Sequence, residues 1–115
     1  MIFLHIVDDY YLQGILANMK QRCWWKQNAP DPLYKYDWII ALIMHGVSWS
    51  FSIMFPIALY NNFQIGWDFA LLFVMNATIH AFIDNLKANK LKINLIADQT
   101  AHIIQICLTA LYFLT

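Results

Sequence analysis

An all-α integral membrane protein, a four-helix bundle with inward-facing His/Asp stripes, is the fold class this sequence predicts, and three observations predict it. The 115-residue chain is 61% hydrophobic and only 12% charged, against roughly 25% charged in an average soluble domain. Its seven basic residues fall in two short stretches, Lys20, Arg22, Lys26 and Lys35 in one and Lys87, Lys90 and Lys92 in the other. All four histidines and five of the seven aspartates lie inside or at the ends of apolar segments, and there is no Glu. A soluble helix does not sort its charges this way, and a net charge of zero gives nucleic acid nothing to bind.

The length predicts one domain, 1–115. Four segments approach the roughly 20 residues that a helix needs to cross a bilayer: about 2–19, 38–60, 63–86 and 93–114. The first is short and polar in its middle. With Asp8 and Asp9 inside it and no basic stretch before it, it reads as a retained helix and not as a cleaved signal. The connection "QRCWWKQNAPDPLYKY" carries the aromatic residues favoured at headgroup level, Trp24 and Trp25 among them. Pro56 is expected to kink the second helix near its outer end. "NNFQIG" is short enough to make the second and third helices an antiparallel hairpin. "KANKLK" ends the third with lysines, where the helix dipole favours cations. Both basic loops then lie on one side, so the positive-inside tendency puts them in the cytoplasm of a bacterial inner membrane, with both termini outside. Cys23 and Cys107 sit in different settings, which predicts neither a disulfide nor a cysteine zinc site.

The polar residues of each segment share a face. His5, Asp9 and Gln13 are four residues apart, as are Asn76, His80 and Asp84, with Lys87 three further on; Asn94, Asp98, His102, Gln105 and Thr109 occupy a comparable arc. The second segment adds His45, beside Gly46 and followed by Ser48 and Ser52. Only a bundle with these stripes turned inward keeps all of them from lipid. Asp8 points about 60° away from the His5 stripe and is expected to cap the helix or face the outer surface. Asp68 suits a helix start.

Burial has a cost. An ionised Asp near the middle of a membrane helix costs about 2.5–3.5 kcal/mol, so Asp9, Asp84 and Asp98 together approach the roughly 5–15 kcal/mol of a whole native state. The aspartates can be neutral, can pair with protonated histidines and Lys87, or can share a divalent cation with the histidines. Spacing favours the cation: His5 with Asp9, His80 with Asp84, and Asp98 with His102 each stand at i and i+4, which puts a nitrogen and an oxygen ligand one turn apart, as in bundles with inward carboxylate metal centres. Together with His45 this makes seven candidate ligands, enough for one or two ions, or for some aspartates to orient ligand histidines. Nitrogen and oxygen donors fit Zn first, with Mn or Fe also open.

The motifs "HIVDDYYLQ" (His5, Asp9, Leu12, Gln13), "MHG" (His45, Gly46), "HAFIDNLK" (His80, Asp84, Lys87) and "DQTAH" (Asp98, Gln99, His102) together resemble the small bacterial and phage membrane proteins grouped as "domain of unknown function 3307". The likeness covers nearly the whole chain. It implies a multi-helix membrane protein with a polar His/Asp constellation and gives Gln13, Lys87 and Gln99 substrate or supporting roles, but it supplies no activity. A looser likeness is to inner-membrane metal-dependent hydrolases. The expectation is therefore a membrane-embedded metal-dependent hydrolase of the cytoplasmic leaflet, with Asp84 or Asp98 as base. Lys87 would hold a lipid or a phosphorylated or ester substrate. Two alternatives stay open: a proton or metal-ion transport component, and a phage- or host-encoded structural or interaction protein. Expected partners are the bilayer and, as an open possibility, further copies of the chain.

Overall fold

In the computed structural model, which describes residues 1–115, the protein is all-helical, with six α-helices and no strand. The order is α1 (Ile2–Val7), a π-helical turn (Asp8–Leu12), α2 (Leu16–Met19), α3 (Arg22–Asn28), a 3-10 turn (Pro32–Tyr34), α4 (Asp37–Tyr60), α5 (Trp67–Ala88) and α6 (Leu95–Leu114). α4 is the axis. α1, the π turn, α2, α3, α5 and α6 all pack against it, and its longest interface is with α5.

The segment 2–19 is not one helix. Its pitch widens where the Gln13 amide N–H bonds the Asp8 carbonyl at 3.2 Å, and Gly14 then turns left-handed at φ +49°, a conformation that glycine adopts freely. What remains is a six-residue and a four-residue helix separated by a break. α5 begins at Trp67 because the turn before it uses Asn62 and Phe63, both at positive φ. α6 begins one residue after Asn94, whose side chain accepts from the Ala97 N–H at 2.9 Å, an ordinary N-cap. α4 runs through Pro56 without ending.

Two segments are long and apolar enough to cross a membrane: Pro32–Tyr60, which contains α4, and α5. α6 has the length, but its polar stripe of Asp98, Gln99, His102 and Gln105 interrupts the apolar run.

The interior is polar and the exterior apolar. Of 21 buried residues, twelve are polar or charged and only eight are hydrophobic, the reverse of a soluble core. Large apolar side chains such as Phe3, Tyr11, Phe51, Leu71, Phe82 and Ile96 stand exposed. The small apolar core, Trp49, Ile53, Met54 and Ile106, lies at one end with Phe69, Phe73 and Phe113 packed on it.

α5 and α6 are joined by a ladder of polar rungs in antiparallel order. Asn76 meets Thr109 at 3.0 Å and takes a bond from Gln105 at 2.8 Å. His80 meets His102 at 3.2 Å, Asp84 meets His102 at 3.2 Å, and Lys87 meets Asp98 at 2.9 Å. The rungs climb both helices at steps of three or four residues, which holds them in one register.

Gly46 sets the approach of α4 to α5. A Cβ built there would lie 2.6 Å from the Ala77 carbonyl oxygen and 3.3 Å from the Ala81 Cβ, so the two backbones touch one residue from His45. Gly46→Ala should therefore lower stability by about 1–3 kcal/mol, read as a fall in the thermal unfolding midpoint in detergent. An unchanged midpoint would contradict this close packing.

Candidate metal centre

The four histidines and three of the aspartates converge where α1, the π turn, α4, α5 and α6 meet. His45, His80 and His102 are fully buried, and His5, Asp84 and Asp98 nearly so. Hydrogen bonds fix the tautomer of His5. The Trp49 indole N–H donates to His5 Nδ1 at 2.6 Å, so His5 carries its proton on Nε2 and donates it to Gln99 Oε1 at 3.0 Å. Gln99 in turn donates to Asp98 Oδ2 at 3.0 Å, the oxygen that also takes the Lys87 ammonium. Both His5 nitrogens are thus engaged. His5 is a link that orients Gln99 and Asp98, and it presents no free lone pair to an ion.

The same reasoning frees a lone pair elsewhere. His102 Nε2 lies 3.2 Å from Asp84 Oδ1 and 3.4 Å from Asp98 Oδ1, and carboxylates only accept, so it carries the proton. With His102 neutral, its Nδ1 accepts from His80 Nδ1. That leaves His80 Nε2 bare, buried and without a hydrogen-bond partner. It faces Asp84 Oδ2 at 3.6 Å and Asp9 Oδ1 at 3.8 Å, too far for hydrogen bonds. Asp9 Oδ1 is likewise buried and unpartnered. His45 Nε2 lies 2.8 Å from Asp84 Oδ2 and 3.5 Å from Asp9 Oδ1. The ring plane of His80 is held by Trp49, stacked on it with centroids 4.2 Å apart.

Two nitrogens and two carboxylate oxygens therefore face one another at 2.8, 3.5, 3.6 and 3.8 Å. Ligands on a tetrahedral ion with bonds of about 2.0 Å are about 3.3 Å apart, so these residues fit a divalent cation. Two overlapping groups lie close enough to hold one: Asp9 with His45 and His80, and His80 with Asp84 and His102, where His102 would first have to give up its Nε2 proton.

Of the residues the sequence pointed to, His45, His80, Asp9, Asp84, Asp98 and His102 come together, with His5, Gln99 and Lys87 one bond behind them. Gln13 does not join them. It donates to Asp8 Oδ2 at 2.6 Å, and Asp8 Oδ1 accepts from Ser48 and Ser52, each at 3.0 Å. Asp8 is fully buried, not a cap or an outer-surface residue, because the π turn brings adjacent residues inward together.

Lys20 is the residue the sequence reading missed. Its ammonium donates to Asp84 Oδ2 at 2.6 Å and to His45 Nε2 at 3.1 Å. Spacing gave no signal for it, because the chain between Asp9 and Lys20 is broken by the π turn and Gly14. Trp49 was missed too, one turn after His45 on the same face.

The fold and site define a helical protein with a buried His/Asp centre that can hold a metal ion. No family model, no curated protein and no solved structure matches the chain. Trp49→Phe keeps an aromatic ring over His80 but leaves His5 Nδ1 without its donor, and should destabilise the protein by about 1–3 kcal/mol in chemical unfolding. Wild-type stability would refute the tautomer chain that starts at Trp49.

Proposed function

We propose that the protein is a membrane-embedded four-helix bundle whose buried centre binds one divalent ion, zinc before manganese or iron, and uses it for hydrolysis at the cytoplasmic leaflet. The inverted burial supports the membrane: a shell of exposed aliphatic and aromatic side chains around a polar interior suits lipid as solvent. The single observation that carries the metal is the pair of buried, unpartnered acceptors, His80 Nε2 and Asp9 Oδ1. Acceptors facing acceptors need a cation between them.

A divalent ion held there supplies Lewis acidity toward an ester or phosphoryl group. Asp9, His45, His80 and Asp84 are its ligands. Asp84 is then spent as a ligand, which leaves Asp98, whose Oδ1 is buried without a hydrogen-bond partner, as the carboxylate base. Lys87, 38% exposed and bonded to Asp98, stands between the centre and the surface, where an anionic substrate would arrive. Nearby, Arg22, Lys26 and Lys35 line a 400 Å³ cavity with Trp25, Tyr34 and Trp38; basic and aromatic residues together suit a phosphate-bearing headgroup at a membrane surface.

Transport of protons or metal ions is the second reading, favoured by one observation: His45, Asp84, His102 and Asp98 stand one against the next inside the protein, as ionisable groups along an intramembrane path do. The test is elemental analysis of detergent-purified protein together with a phosphoester hydrolysis assay. Near-stoichiometric metal is expected in wild type, lost in His80→Ala and Asp84→Ala, and kept in Asp98→Asn with turnover down about 10–100-fold. Metal with flux into liposomes and no turnover would replace hydrolysis by transport. No metal would leave the His/Asp network as a structural element.

A further inference from the structure

The His45 Nε2 and Asp84 Oδ2 pair, 2.8 Å apart, already has a cation across it. The Lys20 ammonium bonds both atoms, at 3.1 and 2.6 Å. With the His45 proton on Nδ1, as acceptance of the Lys20 ammonium requires, the Nε2 lone pair and the carboxylate oxygen form no hydrogen bond with each other, and the ammonium makes their approach favourable. An ion ligated by the same two atoms cannot coexist with it.

The backbone holds Lys20 in place while its side chain stays free to leave. Asn89, just past α5, donates to the Lys20 carbonyl at 3.1 Å and accepts from the Arg22 N–H at 2.6 Å, which clamps the junction of α2 and α3. The Lys20 side chain is 16% exposed, so it reaches from the surface inward and has a way out.

Charge points the same way. With the histidines neutral, the carboxylates of Asp9, Asp84 and Asp98 face two ammonium groups, Lys20 and Lys87, leaving one negative charge in a buried cluster. A divalent ion added beside Lys20 would leave one positive charge. A divalent ion in exchange for Lys20 leaves none. A monovalent ion in the same exchange gains nothing over the lysine, and it lacks the lysine's tether.

We propose that Lys20 is a tethered cation at the metal edge of this site, that a divalent ion binds by displacing it, and that Lys20 thereby sets the site's affinity and its preference for doubly over singly charged ions. The inference rests on the metal reading above. Competition of this kind lowers apparent affinity by the fraction of time the site is free; a lysine in place nine-tenths of the time weakens binding about tenfold.

The test measures zinc affinity, by competition with a chromophoric chelator, for wild type, Lys20→Met, Lys20→Gln and Lys20→Arg in the same detergent. Binding about tenfold tighter or more in the Met and Gln variants, and no tighter in Lys20→Arg, is expected. Equal or weaker binding by the neutral variants, while wild type binds zinc, overturns the proposal and leaves the metal reading intact. If neither wild type nor the variants bind zinc, the metal reading itself falls and this proposal falls with it. A second measurement needs no variant: amine-reactive labelling of Lys20 in wild type, followed by mass spectrometry, should rise when zinc is added to chelator-treated protein. Labelling of Lys20 that does not change on zinc binding also overturns displacement.

Discussion

The Asp84 carboxylate is the point on which the structure depends. Its Oδ2 faces Lys20, His45 and His80, and its Oδ1 faces His102. Four parts of the chain, the end of α2 and the helices α4, α5 and α6, thus send a polar group to one buried side chain that is itself only 3% exposed. A carboxylate so placed cannot be left unpaired, and two of its partners, His80 and His102, meet in turn through their Nδ1 atoms at 3.2 Å. The proton positions along Trp49, His5, Gln99 and Asp98 follow by elimination. The helices are therefore brought together largely by polar groups, where an average core is built from apolar ones.

The periodic part of this design was legible in the sequence. α4, α5 and α6 are long apolar helices with polar residues at steps of three and four, and the ladder from Asn76 to Lys87 against Thr109 to Asp98 is that spacing realised on two antiparallel helices. The N-terminal segment was not legible, and the reason is local. A π turn inserts a residue without leaving any mark in composition, and it shifts the face of everything around it. Hence Asp8, which an unbroken α-helix would turn outward, is buried with Ser48 and Ser52, and Gln13 goes with it. Lys20 was hidden for a different reason: it belongs by composition to a basic loop, and a lysine in such a stretch reads as solvated.

A proton could in principle replace an ion in this cluster, and the distances weigh against it. A hydrogen bond between nitrogen and oxygen closes to about 2.7–3.2 Å. His80 Nε2 stands 3.6 and 3.8 Å from its two carboxylates, and His45 Nε2 stands 3.5 Å from Asp9 Oδ1. A doubly protonated His102 would reverse the bond to His80 and put a proton on Nε2, but that proton would still have no acceptor within reach. An ion with bonds of about 2.0 Å holds its ligands about 3.3 Å apart, inside the span of the separations seen here. The one short edge, His45 to Asp84, is the edge already bridged by Lys20.

That edge also explains why the N-terminal segment is broken. A continuous helix from Ile2 to Lys20 would be about 29 Å long at 1.5 Å per residue, and would carry Lys20 three turns from Asp9, away from the oxygens that Asp9 shares. The π turn and the left-handed Gly14 shorten and redirect the segment, so that Asp9 and Lys20 both approach His45, Asp9 also nearing His80 and Lys20 bonding Asp84. What looks in the sequence like a weak fourth helix is, in the folded chain, a strap that closes the centre with one anion and one cation.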